Sequence, residues 1–176
     1  MQLASFVFCA ITAGFVMSGC STYTATTPAN TTTDDSIFSE FTTDYFSLKI
    51  PPQWQVIKAM GPDVPAYISL INNESNSAFN LRVSRSSLSI EDLCQLAAKG
   101  VVANRGDIYE GPIVSYGTCK IKAHSPSGHD FEMRMRAYDE GEIAVINYVG
   151  DLESIGEILN NLEADEKIMS LFVEPL

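Results

Sequence analysis

The chain is short of basic side chains: 11 Lys and Arg stand against 22 Asp and Glu, for a formal charge of −11. Phosphate-backbone binding needs clustered cations, so a nucleic-acid partner is excluded. The shortage is steepest near the C-terminus, where ten acids from Asp139 to Glu174 face the single base Lys167. Such a run reads as a solvated face that keeps a protein soluble. Histidine is scarcer still, with only His124 and His129, both beside one turn. A nucleophile and base pair is hard to assemble from them. The chain also lacks Gly-x-Ser-x-Gly, His-Glu-x-x-His, Gly-x-Gly-x-x-Gly and Cys-x-x-Cys, so no hydrolase, zinc-protease, dinucleotide or dithiol signature is present. The expectation is a protein that is not an enzyme and carries no cofactor.

Charge is wholly absent from Met1 to Gly19, and Leu3 to Met17 is nearly continuous apolar sequence. At about 15 residues that run is short of the roughly 20 needed to span a bilayer, but it suits a signal-peptide core. Small residues follow at Ser18 and Gly19, and then Cys20. Met17-Ser18-Gly19-Cys20 resembles a bacterial lipobox, which implies a signal peptide over 1–19 and acylation of Cys20 as the first mature residue. Met17 where Leu is usual, and an n-region without Lys or Arg, depart from that pattern; a conventional secretory signal cleaved nearby is the alternative. Ser21 resembles an outer-membrane sorting residue, implying a lipid-anchored protein that faces the periplasm from the outer membrane. Two or three acyl chains anchor stably where one does not.

Ser21 to Ser36 holds seven threonines and one large side chain, Tyr23. It cannot bury enough apolar surface to offset its ordering entropy, so 20–37 reads as the lipidated Cys20 and a disordered linker. The remainder, 38–176, is long enough for one domain with a single core.

Within that domain, period-2 alternation marks six strands. Phe46, Leu48 and Ile50 share one face of the first, which Pro51-Pro52 terminates. Tyr67 to Ile71 is the second; in the third, Phe79, Leu81 and Val83 face inward and Asn80, Arg82 and Ser84 outward. Ile113 to His124 opposes Cys119, Ile121 and Ala123 to Lys120, Lys122 and His124. Phe131 to Ala137 opposes its apolar residues to Glu132, Arg134 and Arg136. Ile143 to Val149 is apolar on both faces and therefore central. Ser89-Ile90-Glu91-Asp92 approximates a capping box ahead of a helix with Cys94 on its apolar side. Leu152 to Phe172 reads as one further helix, with Ile155, Ile158, Leu162, Met169 and Phe172 as its buried stripe. The fold class is α+β: an antiparallel β-sheet of about six strands packed with two main helices.

The blocks "YFSLKIPPQWQV", "AFNLRVSRSSLSIEDL" and "EKIMSLF" are similar to the PsbP-like fold, which also contains DcrB-like envelope proteins. That resemblance covers Phe46 to Phe172 and implies an α/β/α sandwich with a binding or assembly role and no cofactor.

Four features are candidates for function. With Cys9 lost in the signal peptide and Cys20 acylated, Cys94 and Cys119 remain; in an oxidising periplasm they are expected to form a disulfide, the alternative being two buried thiols. Lys120, Lys122, Arg134 and Arg136 fall on one outward face of a hairpin, with Arg82 and Arg85 nearby. That basic patch suits anionic lipid, a cell-wall polymer, a small molecule or an acidic partner surface; a solvated strand face paired to Glu132 is the alternative. Trp54 is a ligand platform or a core plug. His124, His129 and Asp130 lack the ligand number and second shell of a metal site and read as an exposed hairpin tip. The functional expectation is a non-enzymatic module that binds an envelope protein partner, the alternative being a binder of anionic lipid, polymer or small molecule through the basic strand face.

Overall fold

The computed structural model describes residues 39–172. The expected signal peptide, Cys20 and the Thr-rich linker lie outside these residues. In chain order the elements are β1 (Ser39–Thr42), β2 (Phe46–Ile50), β3 (Gln55–Met60), β4 (Ala66–Asn72), β5 (Ser77–Arg85), α1 (Ile90–Ala103), β6 (Asp107–Ser115), β7 (Thr118–His124), β8 (Asp130–Ala137), β9 (Glu142–Val149), α2 (Leu152–Asn160), β10 (Leu162–Ala164) and α3 (Glu166–Met169). The domain is α+β with antiparallel pairing throughout: a small sheet in the order β1-β2-β10 and a seven-stranded sheet in the order β3-β4-β5-β9-β8-β7-β6.

Five of the six expected strands are present; the other, Ile113 to His124, is the end of β6, a turn at Tyr116-Gly117 and then β7. Strand β9 occupies the centre of the large sheet. Its two-sided apolar sequence is explained by cores on both sides. Ala144 and Ile146 join one core with Phe46, Leu48, Ile68, Leu70, Phe79, Leu81 and Val83, roofed by α2, α3 and the small sheet. Ile143 and Val145 join the other, in which α1 lays Cys94, Ala98 and Val101 on Cys119, Ile121, Met133 and Met135. Because successive strand residues alternate faces, these cores lie on opposite sides of one sheet.

Two expectations are corrected. Among the described residues the strands number ten rather than about six, since β1, β3, most of β6 and β10 carry little alternation. The single helix over Leu152 to Phe172 is broken. It stops at Asn161, whose Nδ2 donates to the Glu157 carbonyl at 2.7 Å; Leu162–Ala164 then pairs with β2, Leu162 opposite Leu48. A new helix starts where Asp165 accepts from the Ile168 N–H at 3.0 Å. An asparagine pair competes for backbone groups at the break, and a strand partner with open edge groups takes over. The buried positions shift accordingly, to Ile168 and Leu171 rather than Met169 and Phe172.

Ser89 caps α1 as expected, its Oγ accepting from the Asp92 N–H at 3.1 Å and donating to the Asp92 carboxylate at 3.0 Å. The α2 start is built similarly, with Asp151 accepting from the Ser154 N–H at 2.8 Å and its own N–H donating to Ser77 Oγ at 2.9 Å. Gly150 permits this approach; at φ 101° a Cβ there would sit 2.6 Å from the Asn76 carbonyl. The backbone N–H of Ser154 holds the Asp151 carboxyl below its ordinary range. A depressed folded-state value adds stability above the unfolded value, lost as pH falls through the folded one. Urea unfolding at pH values between about 6 and 2 is expected to show an acid limb that is shallower in Asp151→Asn, which keeps the cap without the charge.

Candidate binding surfaces

The structure brings the four expected cations to one face, since the register sets Lys120 opposite Arg134 and Arg136 next along β8. It does not leave them as an open patch. Lys120 and Lys122 each reach Glu110 on β6, at 3.2 Å, and their hydrogen bonds, that of Lys120 foremost, draw the Glu110 carboxyl below its usual range. Arg134, expected to point outward, is instead only 7% exposed. Its Nε meets Glu132 Oε1 at 2.5 Å and its Nη1 donates to the Leu171 carbonyl at 3.1 Å. Glu132 also accepts from Tyr148 Oη at 2.8 Å, and Arg136 Nη1 donates to Ser170 Oγ. The chain segment after α3 thus folds over the guanidinium of Arg134 and touches that of Arg136.

The other candidates are equally specific. Cys94 and Cys119 place their sulfurs 2.06 Å apart, a disulfide that ties α1 to β7. Trp54 is buried in the core under the small sheet, and among the described residues its Nε1 has no hydrogen-bond partner. At the hairpin tip, His124 Nδ1 lies 3.0 Å from Asp130 and its ring stacks on Tyr109 at 4.6 Å. Among the described residues no group of three His, Cys, Asp or Glu comes together to hold a metal.

A second cluster, missed in the sequence, fastens α3. Tyr138 Oη donates to the capping residue Asp165 at 2.5 Å, and Lys167 Nζ donates to the Tyr138 carbonyl at 2.5 Å. Burial, and then Asp165, push the Tyr138 hydroxyl well above the ordinary phenol range.

The remaining surface lies on the face that α1 covers only in part. Helix α1 packs against β6, β7 and β8, and the same face of β3, β4 and β5 stands beyond it. There Tyr67 Oη donates to Asn80 Oδ1 at 3.1 Å and Asn80 Nδ2 to Asn147 Oδ1 at 2.7 Å, so each side chain orients the next. Lys58 Nζ sits 5.8 Å from the Tyr67 ring centroid. Arg82, directly opposite Tyr67 in the register, is half-buried, and burial lowers its pKa with only Tyr67 acting against the shift. Arg82 is therefore on the opposite side of the sheet from the four hairpin cations.

No protein-family model matches the chain, and no curated protein matches it.

Proposed function

We propose that the chain is an envelope lipoprotein, acylated at Cys20 and held at the periplasmic face of the outer membrane, whose domain is a non-enzymatic module of PsbP-like, DcrB-like type that binds a protein partner. The lipobox-like Met17-Ser18-Gly19-Cys20 and the Thr-rich tether behind it support the anchor. The layered α+β architecture, with helices on both faces of an antiparallel sheet, is consistent with the PsbP-like likeness. The single observation that carries the binding role is the half of the large sheet that α1 does not cover, polar and side-chain ordered rather than apolar.

Binding of anionic lipid or cell-wall polymer through Lys120, Lys122, Arg134 and Arg136 is the weaker reading, because Glu110 and Glu132 already pair with three of these cations. Cys20→Ser is expected to move the protein from the membrane fraction to the soluble fraction, read by immunoblot after high-speed sedimentation. Crosslinking of the acylated protein in intact cells is expected to recover the same envelope protein repeatedly. A serine variant that stays with the membrane overturns the anchor; repeated failure to recover a partner overturns the binding role.

A further inference from the structure

The register assigns ten side chains of β3, β4 and β5 to the face beyond α1: Gln55, Lys58 and Met60 on β3, Tyr67, Ser69 and Ile71 on β4, and Ala78, Asn80, Arg82 and Ser84 on β5. None of them is a carboxylate, in a chain with 22 acids and a net charge of −11. The bulge between Val56 and Lys58 matters here, because it returns Lys58 to this face beside Ser69. Among the described residues neither Lys58 nor Arg82 has a carboxylate partner, whereas Lys120, Lys122 and Arg134 on the other face do. A half-buried guanidinium without a counter-charge has lost part of its hydration without an ion pair in return. An incoming carboxylate supplies that pair and matches the planar fork.

We propose that this half-sheet is the docking surface for an acidic segment of the partner protein, with Arg82 holding a carboxylate and Lys58 flanking it on β3. The inference rests on the binding role proposed above and names the chemistry of its partner. A short segment fits better than a polyanion. At physiological salt a charge acts over about 8 Å, so a short peptide strand crossing β4 and β5 meets the local cations. An extended nucleic acid or an anionic bilayer also meets the acidic remainder of the domain. Tyr67, Met60 and Ile71 add apolar contact around the ion pair.

The test uses the full-length protein in detergent with fluorescein-labelled hexaglutamate, hexaglutamine and phosphatidylglycerol vesicles as probes, read by anisotropy and co-sedimentation. Hexaglutamate is expected to bind and hexaglutamine not. Arg82→Gln is expected to weaken hexaglutamate binding by about tenfold or more, since a charge-assisted bond in a half-buried site is lost. Arg82→Lys is expected to fall between, and Lys58→Glu to weaken binding as well. Reversal of Lys120 and Lys122 is expected to change it by no more than about twofold. Should Arg82→Gln not fold, Lys58→Glu, at an exposed position, carries the test. Equal binding of the two peptides, no binding of hexaglutamate, or unchanged affinity in folded Arg82→Gln and Lys58→Glu overturns the proposal. So does Arg82-dependent binding of vesicles without peptide binding, which assigns the face to lipid. A partner still recovered by crosslinking after any of these results leaves the binding role standing and removes only this surface.

Discussion

Replacing Cys94 and Cys119 together by alanine is expected to lower the unfolding free energy by about 3–4 kcal/mol and the unfolding temperature by about 10 °C. The disulfide closes a loop with a sequence separation of 25, and in the chain-entropy view that loop is what the unfolded chain loses when it is cross-linked. Local packing increases the dependence. Helix α1 is the element that roofs the core of β6, β7 and β8, yet its buried side chains are only Cys94, Ala98 and Val101. The three buried side chains are small, and Ile90, Leu93 and Ala97 pack on the same core only partly buried, so the covalent tie adds to a modest apolar contact. Urea unfolding of the oxidised protein and the double variant measures the difference. A loss below about 1 kcal/mol would show that the tie adds little to the packing. Because α1 borders the proposed docking half-sheet, the double variant is also expected to bind hexaglutamate more weakly through loss of order at that border.

What the sequence made legible follows from burial. Each strand read correctly has one or both faces in a core, as in the strict alternation of Ala66, Ile68, Leu70 and Asn72 along β4. Strand β3 was invisible because every residue of it is exposed, and β10 because three residues inside a helical pattern carry no period of their own. The missed strands decide the candidate site. Period 2 put Lys120, Lys122, Arg134 and Arg136 on one face correctly, but Glu110 belongs to β6, whose bulges around Gly111 and Pro112 disrupt alternation. The burial of Arg134 depends on Leu171 arriving from beyond the break in the expected helix. The position of Arg82 relative to the other cations depends on strand order, with β5 beside β9 rather than beside the hairpin, and order is not written in the alternation of any one strand.

Arg134, expected on the outward face, is the hairpin cation whose removal is expected to damage the fold most. Arg134→Ala is expected to cost about 3–5 kcal/mol, because it strands Glu132 among buried neighbours. The side chains of Arg134 and Glu132 are 9% and 12% exposed, so water restores little of what the carboxylate loses. The Leu171 carbonyl loses its donor at the same time, and with it the segment after α3 loses a tie to the sheet. An ion pair of this kind contributes little net stability over apolar side chains of similar volume, since both charges were desolvated to make it. Glu132→Leu with Arg134→Met is therefore expected to cost less than Arg134→Ala alone, although Tyr148 Oη then loses its hydrogen bond to Glu132. A double-mutant cycle in urea reads the coupling directly. A cost below about 1 kcal/mol for Arg134→Ala would mean that Glu132 is solvated in the variant and that the guanidinium belongs to the surface after all. The expected outcome instead makes Arg134 and Arg136 part of the structural joint between β8 and the α3 segment, and directs the search for a partner to the opposite face of the sheet, where Lys58 and Arg82 have no carboxylate partner among the described residues.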